Sequence, residues 1–152
     1  MDDIDRGILA SLQHDVTLSL AEIAKRVGLS PTPCWRRIQK LEESGVIRKR
    51  VALLDATKLN VGVTVFVAIR TSEHSLEWLE KFARAVVEFP EVVEFYRMSG
   101  EIDYLLRVIV SDIKAYDDFY KRLIGKVALF DVSSSFAMEQ IKYTTALPLD
   151  YA

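Results

Sequence analysis

Eight cations crowd the stretch from Lys25 to Arg50, namely Lys25, Arg26, Arg36, Arg37, Lys40, Arg48, Lys49 and Arg50, and only Glu42 and Glu43 oppose them. Positive charge concentrated in one short segment suits a surface that binds phosphate. Within it, Thr32, Trp35, Arg36, Gln39 and Lys40 recur at helical spacing behind Ser30, with Arg37 at the edge of the same face. Their hydroxyl, indole, guanidinium, amide and ammonium groups match phosphate oxygens and the major-groove edges of guanine and adenine. The run Arg48-Lys49-Arg50 adds backbone contacts. The competing reading is a three-helix protein-interaction module with a solvated basic face.

Residues suited to catalysis are scarce. His14 and His74 have no Ser or Cys nucleophile beside them in sequence, Cys34 is the one cysteine, and no Gly-rich phosphate loop or metal-spaced ligand set occurs. Asp117-Asp118 reads as a solvated acidic pair on an amphipathic helix rather than a metal site. No enzyme activity, metal or cofactor is expected. A single cysteine excludes an intramolecular disulfide framework and fits a reducing compartment, with Cys34 filling a small core position. The N-terminus MDDIDRGILASLQ lacks the layout of a signal peptide, and no apolar run reaches the roughly 18 residues of a membrane span. The expected setting is the cytoplasm, away from membranes.

Three short helices position the basic face. Ile4, Ile8, Leu9 and Leu12 form the apolar stripe of the first, with Asp2 or Asp3 as its cap. Ser19-Leu20-Ala21-Glu22 opens the second as a capping box, and Gly28 suits the left-handed residue that closes it. Ser30 caps the third and Pro31 occupies its first position, where a missing N–H costs nothing. Cys34, Ile38 and Leu41 face inward, and Gly45 ends the helix. Two helices joined by so tight a turn cross steeply, as in a helix-turn-helix.

The run GLSPTPCWRRIQKLEESGVI (Gly28–Ile47) resembles the recognition region of the Lrp/AsnC family of feast/famine transcription factors, and the similarity extends over essentially the whole chain. It implies double-stranded DNA as partner, read as a pseudo-palindromic operator by paired recognition helices, and self-association into dimers, tetramers, octamers or larger rings.

Beyond Ile47 the period changes. Arg48–Leu54 alternates imperfectly and leads into a hinge around Asp55–Gly62. Val63–Arg70 alternates as a strand, Leu76, Leu79, Phe82, Ala83 and Val86 mark a helix ending before Pro90, and Val92–Met98 with Tyr104–Val110 form a hairpin across Ser99-Gly100-Glu101. Ile113, Tyr116, Phe119, Tyr120 and Leu123 give a further helix, and Val132–Tyr143 a last strand. The fold class is therefore α+β: a helix-turn-helix, winged-helix-like domain over 1–50, a linker over 51–61, and a ferredoxin-like βαββαβ domain over 62–152. An open sheet with one bare face favours dimerisation, through Phe66, Phe95 and Leu106 whichever face they occupy.

The resemblance also implies a small amino-acid effector at a subunit junction. The family's Gly-acidic-aromatic-Asp-aromatic signature stands here as Gly100-Glu101-Ile102-Asp103-Tyr104, with Ile102 departing from the pattern. Met98, Ser99, Gly100, Glu101, Asp103 and Tyr104, with Ser133, Ser134 and Ser135, would line that site. A carboxylate for the ammonium and N–H or hydroxyl donors for the carboxylate suit a zwitterion. SSFAMEQIKYTTALPL, TLSLAEIAKRV and YDDFYKRL are similar to the subgroup that responds to cysteine and activates its detoxification. Leucine or another small amino acid, a ligand-independent architectural DNA-binding protein, and a small ferredoxin-like enzyme stay open as alternatives.

Overall fold

The computed structural model describes residues 1–152. The chain forms two compact units, Met1–Leu53 together with Ile141–Ala152, and Leu54–Gln140. The expected boundaries put the last twelve residues with the sheet. The structure puts them with the helices, because the tail finds its apolar and polar partners there.

The helical unit contains α1 (Asp3–His14), α2 (Leu20–Arg26) and α3 (Pro31–Glu43). Each start has a chemical cause. Asp2 and Asp5 form a capping box on α1, and Ser19 with Glu22 forms the expected one on α2. Gly28 closes α2 at φ +70°, letting Leu29 N–H donate to the Ala24 carbonyl at 2.9 Å and end the helix at once. Gly7 has a different role: a Cβ there would meet Val27 Cγ1 at 2.9 Å, so its bareness lets α1 and α2 approach. Ser30 departs from expectation. It occupies the cap position of α3 but its hydroxyl accepts no backbone N–H. The residue three positions on is Pro33, which has no N–H to give, and the Thr32 N–H is not taken up either, so the hydroxyl is left free.

The core of this unit is Ile8, Leu9, Ile23, Ala24, Cys34, Ile38 and Leu41, and Leu149 of the tail packs against it. Burial pushes the Cys34 thiol pKa up, which keeps it a protonated core residue. The Gln13 side chain holds the tail by both backbone groups of one residue: Leu147 N–H donates to Gln13 Oε1 at 2.7 Å, and Gln13 Nε2 donates to the Leu147 carbonyl at 3.2 Å. Arg6 donates to the Ala152 backbone oxygen at 2.6 Å. A hydrogen bond contributes a net ~0.5–1.5 kcal/mol, so Gln13→Ala should speed exchange of the Leu147 amide about tenfold while leaving the amides of α2 and α3 unchanged. Hydrogen exchange read by NMR checks this.

The second unit holds β1 (Val63–Arg70), α4 (Leu76–Val87), β2 (Val92–Arg97), β3 (Tyr104–Val110), α5 (Ile113–Lys126) and β4 (Asp131–Phe136). The sheet is antiparallel in the order β2-β3-β1-β4, the ferredoxin-like arrangement. Period 2 divides each strand between two faces. Val65, Val67 and Ile69 with Tyr104, Leu106, Val108 and Val110 are buried beneath Trp78, Phe82 and Val86 of α4 and Tyr116, Phe119 and Leu123 of α5. Thr64, Phe66, Ala68, Leu105, Arg107 and Ile109 alternate onto the opposite face.

Two expectations change here. Leu106 is fully buried and Phe95 packs on the core, so of the three apolar residues nominated for dimerisation only Phe66 turns outward. The last strand ends at Phe136 instead of Tyr143: after Ala137 N–H donates to the Thr64 carbonyl the chain has no further ladder partner.

Candidate functional site

On α3 the inward residues Cys34, Ile38 and Leu41 leave Thr32, Trp35, Arg36 and Lys40 on the exposed side. Arg36 and Lys40 are one helical turn apart and point from the same stripe, with Thr32 one turn earlier. The ion pairs of this unit engage Arg6, Arg37 and Arg50 instead. Trp35 is 51% exposed, a large apolar surface on a helix whose neighbours are cationic. Together with the free Ser30 hydroxyl these groups form one polar and cationic surface.

Other residues predicted for that surface are otherwise occupied. Gln39 donates to Glu42 at 3.1 Å and is half-buried. Arg50 donates to the same Glu42 at 2.8 Å, so the basic run after α3 is partly neutralised, leaving Arg48 and Lys49 exposed and unpaired. Arg37 is half-buried and bonded to Asp2 and Asp5.

In the sheet unit the turn between β2 and β3 is closed by Met98 N–H donating to the Asp103 carbonyl at 2.8 Å, with Gly100 at φ +110°. That conformation favours glycine. Asp103 reaches across to the loop after β1: its Oδ2 accepts Thr71 N–H at 2.8 Å, and its Oδ1 stands 4.0 Å from His74 Nδ1. Thr71 in turn accepts Glu73 N–H and donates to the Glu73 carbonyl, both at 3.0 Å. Sequence reasoning missed this loop. Its signal was the polar run Thr71-Ser72-Glu73-His74-Ser75 between a strand and a helix, where short side-chain-to-backbone turns concentrate. Met98, Ser99 and Glu101 are exposed around the turn.

Tyr104 and the serines sit differently from expectation. The Tyr104 ring is buried against Trp78, Phe82 and Phe95, which makes it core. Ser134 faces the helices and hydrogen-bonds the Tyr116 hydroxyl, whose pKa burial raises. Ser133 and Ser135 alternate to the opposite face, opposite Ala68 and Phe66 of β1. Moreover β1 lies between β3 and β4, so within one chain these serines stand two strand spacings, about 10 Å, from β3. One chain does not bring them together with the turn.

Comparison with known proteins assigns one family domain to the N-terminal helices and one to the sheet, the latter running on into the tail. A profile of the Lrp/AsnC ligand binding domain matches residues 64–147, and one of a winged helix-turn-helix DNA-binding domain matches residues 1–48. Over 151 residues the chain is 56% identical to the DNA-binding transcriptional activator DecR of Escherichia coli K12, covering 99% of both chains. It is 53% identical over 149 residues to the glutamate uptake regulatory protein of Zymomonas mobilis, covering 98% of this chain and 91% of that one. An AsnC family transcriptional regulator from Agrobacterium tumefaciens has the same fold with a TM-score of 0.97 and 70% identity, covering 99% of each chain. A transcriptional regulator of Neisseria meningitidis, solved in complex with L-Met, gives a TM-score of 0.94 at 36% identity, covering 99% of this chain and 98% of that one. A helical unit with an exposed cationic third helix, joined to a four-stranded ligand-binding unit and alike in sequence along its whole length to these regulators, belongs to the Lrp/AsnC family of DNA-binding transcriptional regulators.

Proposed function

We propose that this regulator reads a pseudo-palindromic operator with two copies of α3, assembles through its sheet units into dimers and then tetramers or octamers, and changes its DNA binding when a small amino acid occupies subunit junctions. The observation that carries the reading is the exposed stripe of Thr32, Arg36 and Lys40 on α3, beside the free Ser30 hydroxyl. A two-fold dimer presents two such stripes to two half-sites.

For the effector, the Met98–Asp103 turn supplies exposed Ser99, Gly100 and Glu101. Asp103 has one oxygen committed to Thr71 and its other facing His74. Glu101 is therefore the freer carboxylate for an ammonium group. The two strand spacings, about 10 Å, that separate Ser133 and Ser135 from β3 within one chain favour a site completed by a second subunit. The amino acid we propose is cysteine, on the similarity of the chain to the cysteine-responsive subgroup. The 53% identical regulator of glutamate uptake makes glutamate the competing choice. We propose the cytoplasm as its place of work, on the ground that its partner is DNA; no helix is long and apolar enough to cross a membrane.

Titrating L-Cys, L-Glu, L-Met and L-Leu against an operator fragment followed by fluorescence anisotropy tests the reading. L-Cys should shift the operator midpoint several-fold, and Glu101→Ala should abolish the shift while leaving ligand-free binding intact. A response to L-Glu alone would replace cysteine by glutamate. No response to any amino acid would leave a ligand-independent architectural protein.

A further inference from the structure

Asp2 and Asp5 do more than cap α1. Asp5 N–H donates to Asp2 Oδ1 at 2.9 Å and Asp2 N–H donates to Asp5 Oδ2 at 3.3 Å, which leaves each carboxylate one oxygen. Both remaining oxygens accept from the same atom, Arg37 Nη1, each at 2.8 Å. All four carboxylate oxygens are thereby used, and one nitrogen of α3 bridges the two ends of the cap on α1. The Asp5 side chain is only 19% exposed and that of Arg37 33%, so the attraction is less screened than at an open surface. The titration of the groups agrees: the Asp5 backbone N–H, followed by Arg37, holds the Asp2 carboxyl below its usual range, and Asp5 and Asp2 push the Arg37 guanidinium up.

We propose that Arg37 is a positioning residue for DNA binding, whose bridge to Asp2 and Asp5 fixes the orientation in which α3 presents Arg36 and Lys40. α3 itself gives the core only Cys34, Ile38 and Leu41, a narrow stripe that resists rotation of the helix about its axis less than a broad face would. A charged tie beside that stripe resists rolling where packing resists it least. Arg37 is a weaker attraction for DNA than its neighbours, because its charge is already opposed by two carboxylates at 2.8 Å that themselves repel the duplex.

The inference rests on α3 being the DNA-reading helix, and the test separates the two. Full-length Asp2→Asn/Asp5→Asn is the decisive variant. Asn caps helices as well as Asp, so α1 should still start normally, which circular dichroism and a thermal melt verify. By simple electrostatics, removing two negative charges should tighten DNA binding. The positioning role requires the opposite: about tenfold weaker operator binding, with the slope of log K against log salt unchanged because no phosphate contact is lost. Arg37→Gln should behave likewise, and Arg37→Lys should recover binding to within about threefold, since one ammonium can bridge where one Nη1 does. Equal or tighter binding by Asp2→Asn/Asp5→Asn overturns the proposal. So does a salt slope lowered by about 0.9 in Arg37→Gln, which would make Arg37 a phosphate contact. If Arg36→Ala binds the operator as the parent does, the assignment of α3 fails and the tie's role fails with it. If Arg36→Ala weakens binding while the double Asn variant does not, the tie alone is wrong.

Discussion

Replacing Arg36 with Ala should lower operator affinity about 5- to 150-fold, the equivalent of ~1–3 kcal/mol for a side chain that reads a base edge. Arg36 is exposed on α3 and lies outside the ion pairs that hold Arg6, Arg37 and Arg50. Its guanidinium therefore reaches a base or phosphate without first breaking a contact, and its removal leaves no orphaned partner inside the unit. Anisotropy titrations at several salt concentrations divide the two forms of contact. A base-reading Arg36 gives a loss that disappears when one position of each half-site is changed. A phosphate-binding Arg36 gives the same loss on every sequence and lowers the salt slope by about 0.9. Adding Lys40→Ala, one turn along the same stripe, should weaken binding further and reduce the slope again. Unchanged affinity in the double variant would remove α3 from the interface.

What could be read from the sequence was set by local chemistry. Ser19 and Glu22 are three residues apart and satisfy each other's backbone, so the start of α2 is written in four residues. The alternation of Val63–Arg70 and Tyr104–Val110 likewise names both the strands and their buried faces. What escaped depends on partners far along the chain. Gln13 meets Leu147 across 134 residues and Arg37 meets Asp2 across 35, and no local period reports either. Alternation alone therefore carries the last strand on to Tyr143, past its end at Phe136, and local spacing does not report that Arg37 is tied to α1. Two features needed only stricter reading. Adjacent strand residues face opposite sides, so Ser133, Ser134 and Ser135 were bound to divide between two faces. Pro33, at the third position of α3, removes one of the two N–H groups that Ser30 could cap. The turn at Gly100 was legible, but the loop of Thr71 and His74 that anchors Asp103 was not, because that contact too spans a strand pair.

A single carboxylate at the centre of the open sheet face should break the proposed assembly. Both helices of the sheet unit contribute to one core against one face, and the opposite face carries Phe66, 39% exposed, between Arg107 of β3 and Ser135 of β4. Leu105 and Ile109 flank it on the same face, so an apolar strip runs across the middle strands with the Glu94–Arg107 ion pair, at 2.7 Å, beside it. Against a second sheet, Phe66→Glu would bury two like charges across a two-fold axis, since each copy brings the same residue to the same patch. In the separated chain the new carboxylate stands next to Arg107 and in water, so the fold itself should survive with its circular dichroism unchanged. Sedimentation at micromolar concentration should then show the parent as a dimer or larger and Phe66→Glu as a monomer. Operator affinity should fall about 10²- to 10⁴-fold, because two half-site contacts that were intramolecular in effect become independent. Affinity for a single half-site should remain as it was, which distinguishes lost assembly from a damaged recognition helix. A Phe66→Glu protein that still sediments as a dimer would show that the subunits meet through some other surface, and the pairing of recognition helices would have to be rebuilt on that one.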